Sequence, residues 1–316
     1  MRGYLGIDVG SVSTNLVVIN DSSEVMAGLY IRTVGQPIKV IQKGLRRIAD
    51  TLDNRVEIVG VGTTGSARYL TGVMVGADAV KNEITAHAVA ASHFVPEAQT
   101  IIEIGGQDSK IIILRDGIVV DFAMNTVCAA GTGSFLDQQA VRLNIPIDQF
   151  GELAVQSKQP VRIAGRCAVF AESDMIHKQQ LGHNLGDIIC GLCEALVRNY
   201  LNNVGKGKDI LPPVVFQGGV AANKGIKHAF EKELGLEVFV PEHFSVMGAV
   251  GAALLAKNAV GRSNNTLFKG FEAANFNYRA LSHECGDCAN RCEIIQFYQE
   301  EEVIACWGDR CGKWSN

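Results

Sequence analysis

The chain is poor in proline, with 7 in 316 residues, and poor in aromatic side chains, at 7%. The scarcity of proline, beside a high apolar content, speaks against a disordered or fibrous chain. No apolar run reaches the roughly 18 to 20 residues that a membrane-spanning helix needs. Nor is there a basic excess, since 29 Lys and Arg stand against 33 Asp and Glu, for a net charge of −4. A global positive field is therefore lacking, and neither nucleic acid nor a membrane is expected as a partner. The opening MRGYLGIDVG already reads as a core strand and lacks the charged and apolar regions of a secretory leader, so a cytoplasmic location is expected.

What the chain does have is glycine, 34 residues of it, and an apolar content of 47%. That balance suits an α/β protein with tight turns and a substantial core, and the length predicts about two domains. Nine cysteines are many where disulfides are disfavoured, which makes metal or redox use the leading expectation. Cys128 and Cys167 stand alone in the glycine-flanked segments NTVCAAGTGSF and AGRCAVFAESD. Cys190 and Cys193 lie three apart near the apolar stripe Leu185, Ile188, Ile189, Leu192, Leu196, and read as helix packing. Cys285, Cys288, Cys292, Cys306 and Cys311 crowd the tail with a spacing that suits Zn or an Fe–S cluster but not the bacterial ferredoxin run.

A weak internal repeat organises the rest. YLGIDVGSVSTNLVVINDSSEVMAGLY and IIEIGGQDSKIIILRDGIVVDFAMN each read as strand, glycine turn, strand, polar turn, strand. Two similar lobes facing one cleft are the expectation. The first turn, Asp8-Val9-Gly10-Ser11-Val12-Ser13-Thr14, presents backbone N–H groups and hydroxyls suited to phosphate oxygens, with Asp8 placed to hold Mg2+ through water. The second, Gly105-Gly106-Gln107-Asp108-Ser109-Lys110, offers the same chemistry. A third motif, Gly218-Gly219-Val220-Ala221-Ala222-Asn223, lets a base and ribose approach the backbone.

In this order the three motifs resemble the phosphate and adenosine segments of the actin-like ATPase superfamily. Within it, GIDVGSVSTN, EIGGQDSK, NTVCAAGTGSF, AGRCAVFAESD and VVFQGGVAANKG resemble the activators of 2-hydroxyacyl-CoA dehydratases and the related ATPase subunits of benzoyl-CoA reductase. The resemblance covers about residues 3 to 257 and implies two actin-like (ribonuclease H-like) lobes binding ATP or ADP with Mg2+. It further implies a homodimer with one bridging 4Fe–4S cluster, held by Cys128 and Cys167 of each subunit. The backbone around Gly131, Thr132 and Gly133 would stabilise the thiolates and a reduced cluster. ATP hydrolysis would drive a low-potential electron, supplied by a ferredoxin or flavodoxin, into a partner iron–sulfur enzyme such as a 2-hydroxyacyl-CoA dehydratase.

On this reading Asp8 and Asp108 hold Mg2+ and, with Gln107, orient the attacking water. Gly10, Ser11, Ser13, Thr14, Gly105, Gly106 and Lys110 position phosphates, while Gly218, Gly219, Val220 and Asn223 sit at the adenosine. The expected divisions are a first lobe over 1–95, completed by a helix at about 245–258, a second lobe over 96–244, and a Cys-rich extension over 261–316. Two other readings use the same motifs: a small-molecule kinase of this fold, and a nucleotide-sensing protein whose tail binds metal.

Overall fold

The computed structural model describes residues 1–261 and 265–315. The chain divides into two compact units, one of Met1–Gly10, Thr14–Asn82 and Ala252–Asn316, the other of Ser11–Ser13 and Glu83–Gly251. In the first unit β1 (Arg2–Val9), β2 (Ser13–Ile19), β3 (Val25–Arg32), α1 (Pro37–Thr51), β4 (Glu57–Thr64), α2 (Arg68–Val75) and β5 (Ala79–Val80) follow in order. Their sheet runs β3-β2-β1-β4-β5, with β1 antiparallel to β2 and parallel to β4. The near-continuous apolar runs of β1 and β2 are buried throughout, as expected of strands covered on both faces. The helix α1 opens on Pro37 and turns Val40, Ile41, Leu45 and Ile48 into the core.

In the second unit come α3 (Glu83–Phe94), β6 (Thr100–Ile104), β7 (Ser109–Arg115), β8 (Ile118–Asn125), α4 (Gly133–Arg142), α5 (Ile147–Val155), α6 (Ala168–Gln180) and α7 (Leu185–Tyr200). After them follow β9 (Val214–Gln217), α8 (Lys224–Leu234) and β10 (Val238–Phe239), and α9 (Met247–Val260) crosses the boundary between the units. This sheet runs β10-β9-β6-β7-β8, the same strand order as the first. The repeat read in the sequence is therefore a repeat of topology. Its core gathers Phe135, Phe150, Phe216, Phe230 and Tyr200 around the helices. No helix among the described residues is long and apolar enough to cross a membrane.

The composition change at residue 261 is not the end of the packed core. Past it, β11 (Tyr278–Glu284), β12 (Glu293–Gln299) and β13 (Glu302–Trp307) form an antiparallel sheet that belongs to the first unit. Tyr278 stacks on Phe297 with 5.6 Å between ring centroids, and both join the cluster of Leu5, Ile7 and Ile41. The connecting strap is tied down as well. Asp78 accepts hydrogen bonds from Thr266 Oγ1 and the Leu267 amide, each at 2.7 Å. Gly76, at φ +70°, ends α2 where a Cβ would lie 2.0 Å from the Leu267 carbonyl oxygen. Aromatic side chains from Phe268 onward thus extend the first unit, where the sequence reading begins a separate extension.

Candidate functional site

The strand register builds the first turn. Asp8 lies opposite Asn15 of β2 on one side and Thr64 of β4 on the other, so the three side chains share one face of the sheet. Asn15 Oδ1 and Thr64 Oγ1 are buried without a hydrogen-bond partner, an unusual pair to leave beside a carboxylate. Gly65 follows Thr64 with φ +86°, and a Cβ there would stand 2.5 Å from Asp8 Oδ1. The loop carrying it is fastened to the end of β1, because the Ala67 amide and Ser66 Oγ both donate to the Val9 carbonyl, at 3.1 and 3.2 Å. Ser11 at the tip is exposed and Ser13 is half-buried. Thr14 is fully buried, and its hydroxyl pairs with Thr33 Oγ1 at 3.0 Å; Thr33 in turn donates to the Gly10 carbonyl.

The second turn repeats the construction with different chemistry. Glu103 of β6 lies opposite Lys110 of β7 and Gln217 of β9, the same register that flanks Asp8. By register, therefore, the counterpart of Asp8 is Glu103 and not Asp108. Lys110 Nζ donates to Glu103 Oε2 at 3.0 Å and to Asp108 Oδ2 at 2.7 Å, with only 5% of its side chain exposed. Burial alone would lower the affinity of this amine for its proton. The carboxylates of Glu103 and Asp108 outweigh that and hold it well above the usual lysine range. The ammonium is thus engaged by two carboxylates of its own unit. Beneath it, His87 Nδ1 lies 2.8 Å from Gln217 Nε2, and burial, with the charge of Lys110, pushes the imidazole down to about 3.

The turn backbone is closely fitted. The Gly105 amide donates to the Asp108 carbonyl at 3.0 Å, and a Cβ on Gly106 would meet the methyls of Val12 at 2.7 Å. Gln107 is exposed and Asp108 half-exposed. The amides of Gly133 and Ser134 donate to the Gly105 and Gly106 carbonyls at 2.9 and 2.8 Å, which fastens the start of α4 to this loop. Thr132 is buried, with its hydroxyl on the Ala129 carbonyl at 2.8 Å. In the third motif, Gly218 takes φ +89°, and a Cβ would lie 2.4 Å from the Ile104 carbonyl oxygen and 2.7 Å from Glu103 Oε1. A helical turn over Gly219–Ala222 follows, in which Val220 is buried. Asn223 caps α8, its side-chain oxygen accepting from the Ile226 amide at 3.1 Å.

Cys128 and Cys167 occupy equivalent positions. Each is an extended residue immediately before a helical segment, Cys128 before the turn Ala129–Gly131 that leads into α4 and Cys167 before α6. Both thiols are part-exposed. Asn125 holds the first segment, accepting from the Cys128 amide at 2.9 Å and donating to its carbonyl at 2.8 Å. Val127, Val169 and Phe170, next to the two cysteines, are 95%, 68% and 65% exposed. Among the described residues no group of three or more His, Cys, Asp or Glu side chains is arranged to hold a metal ion. Two part-exposed cysteines without such a group around them fit a thiolate-bound cluster only if other ligands come from outside the chain.

The remaining cysteines divide cleanly. Cys193 is fully buried in the second core, and burial pushes its thiol well up; burial raises Cys190 too, so both act as packing. In the tail, Cys306 sits within β13 opposite Gln296 and is buried. Cys285 and Cys292 continue the β11–β12 ladder, the Cys285 amide donating to the Cys292 carbonyl at 2.8 Å, while Cys288 and Cys311 are exposed. No metal-binding grouping is formed by these five. Sequence reasoning did not single out Asn15, Thr64, Gly65 or Glu103. The charge of Glu103 inside an otherwise apolar strand was the one available signal.

Comparison with known proteins bears directly on these loops. Residues 5–256 match the model of the BadF/BadG/BcrA/BcrD ATPase family. The chain is 36% identical to the (R)-2-hydroxyglutaryl-CoA dehydratase activating ATPase of Acidaminococcus fermentans over 80% of its own length and 96% of that protein. It is 35% identical to the activator of lactoyl-CoA dehydratase of Anaerotignum propionicum, over 81% and 97% of the two chains. The solved structure of the activator of 2-hydroxyisocaproyl-CoA dehydratase from Clostridium difficile, with bound ADPNP, superimposes with a TM-score of 0.74 at 32% identity, covering 83% of this chain and 96% of that one.

Proposed function

The chain belongs to the BadF/BadG/BcrA/BcrD ATPase family, and from that membership we propose that it is an ATP-driven electron donor to an iron–sulfur acyl-CoA dehydratase or reductase. The observation that carries this reading is the pair Cys128 and Cys167, part-exposed before two helical segments and bordered by the exposed Val127, Val169 and Phe170. A surface of that kind suits a second copy of the chain, which would bring two more thiolates and complete a four-thiolate site. A 4Fe–4S cluster bound there supplies storage for one low-potential electron, drawn from a ferredoxin or flavodoxin.

The chain's own residues do the rest. Backbone amides and hydroxyls of the turn after β1 and of the turn after β6 hold the phosphates of ATP. Asp8, leaning over Gly65, binds Mg2+ through water. Asp108, held by Lys110, orients the attacking water with Gln107. Gly218 keeps the backbone open for the adenosine. Because the first amides of α4 are bonded to the Gly105 and Gly106 carbonyls, a loop that moves with the γ-phosphate takes the segment after Cys128 with it.

The test is anaerobic purification with iron, sulfide and zinc quantified per dimer. About four iron per dimer are expected in the wild type, lost in Cys128→Ser and in Cys167→Ser while ADP binding persists. Asp8→Asn should abolish ATP turnover and keep the iron. An iron-free protein, or iron unchanged in both cysteine variants, overturns the reading.

A further inference from the structure

One side chain reaches both cysteine segments. Asn199, in the last turn of α7, is 2% exposed. Its Nδ2 donates to the Gly165 carbonyl at 2.6 Å and lies 3.4 Å from the Arg166 carbonyl, both in the segment that delivers Cys167. The same carboxamide meets Cys128 Sγ, with Nδ2 and Oδ1 each 3.7 Å from the sulfur. Its orientation is fixed from both ends. The Gly165 carbonyl demands an N–H, and Asn203 Nδ2 donates to Asn199 Oδ1 at 2.8 Å. Asn203 is delivered by a wider helical turn over Leu201–Gly205, a departure from α geometry of the sort often found at functional sites. Gly131 leaves the room required, since a Cβ there would stand 2.8 Å from Asn199 Oδ1.

We infer that Asn199 is a positioning residue for the thiol pair, locking the Cys128 segment to the Cys167 segment and supplying an N–H to the Cys128 sulfur. The inference rests on the cluster reading above and names what the second layer of that site does. With a neutral thiol the carboxamide oxygen can accept the S–H. With a thiolate that ligates a cluster, only the N–H face is useful, and Asn203 and Gly165 already hold it there. A hydrogen bond to a ligating sulfur withdraws charge, and the reduced state, which carries one more electron, gains most from it. Asn199 therefore raises the reduction potential of the bound cluster.

The experiment is a redox titration of the anaerobic holo-dimer, with dithionite giving one electron per cluster through mediator dyes, followed by visible and EPR spectra. At the potential where the wild type is half reduced, Asn199→Ala should shift the reduced-to-oxidised ratio about tenfold toward oxidised, equivalent to about 59 mV for a one-electron couple. Asn203→Ala, at an exposed position, should shift it the same way by a smaller factor with full iron content. Asn202→Ala, exposed on the same turn, should not move it. If Asn199→Ala misfolds or loses iron, Asn203→Ala decides. Unchanged potentials in the iron-replete Asn199 and Asn203 variants, or an equal shift in Asn202→Ala, overturn this inference alone. A wild type without iron overturns it together with the electron-donor reading.

Discussion

Replacing Lys110 by methionine removes the ammonium that lies 3.0 Å from Glu103 Oε2 and 2.7 Å from Asp108 Oδ2. The two carboxylates are not equally affected. Asp108 keeps 34% of its side chain exposed and can turn to water, whereas Glu103 keeps 6% and cannot. The loss is therefore that of one uncompensated buried charge, about 3–5 kcal/mol. Urea unfolding at pH 7 measures it, and Lys110→Met with Glu103→Gln should recover most of the loss because no charge is then left without a partner. The sign of the pH dependence is a second check. An unpaired buried carboxyl has its folded pKa raised, so Lys110→Met takes up a proton on folding and its deficit shrinks as pH falls below neutrality. In the wild type, Lys110 itself has a raised folded pKa, so its stabilisation is complete below the usual lysine value near 10.5 and declines only in strong alkali. A single variant within about 1 kcal/mol of wild type, or a double variant no better than the single, would refute the triad as a buried, mutually dependent unit.

Gly218→Ala places a methyl 2.4 Å from the Ile104 carbonyl oxygen at φ +89°, and should cost about 1–3 kcal/mol and weaken ADP binding by calorimetry. His87 is held neutral with its folded pKa at about 3, so the unfolded chain takes its proton first. Stability should fall below about pH 6.5 by up to 1.4 kcal/mol per pH unit, and His87→Asn should remove that slope in unfolding curves collected at successive pH values. Phe297 is fully buried against Tyr278 and Trp307, so Phe297→Ala should cost about 3–5 kcal/mol in thermal or urea unfolding even though it lies beyond the region shared with the relatives.

The glycine turns were legible because their signal is local: an apolar run, an acid, then glycines within a few residues. Cys190 and Cys193 were legible as packing from their place near an apolar stripe. Glu103 was not, because its meaning comes from strands β7 and β9, and Gln217 lies more than a hundred positions away along the chain. Asn199 was hidden for the same reason, being a polar residue near the end of an ordinary helix whose partner Cys128 is 71 positions earlier. The ion pairs of Lys110 were hidden too, since spacing cannot reveal that two carboxylates surround its amine. The tail was misjudged by composition. Composition does shift at GRSNNTLFKG, yet Phe268, Phe271, Phe276 and Tyr278 beyond it belong to a segment that packs into the core of the first unit.

The strand β8 closes one sheet at its edge, and Ile118, Val120, Phe122 and Met124 on alternate positions are all exposed. A free edge with an apolar row is a template for strand addition by any unfolded or partly synthesised neighbour. One charge interrupts it: Asp121, clamped by both oxygens to Lys208 Nζ at 2.7 Å. That residue has the character of a gatekeeper against such strand addition. Asp121→Val would leave seven consecutive apolar residues from Ile118 to Met124, and such a chain should be recovered largely from inclusion bodies when soluble and insoluble fractions are compared.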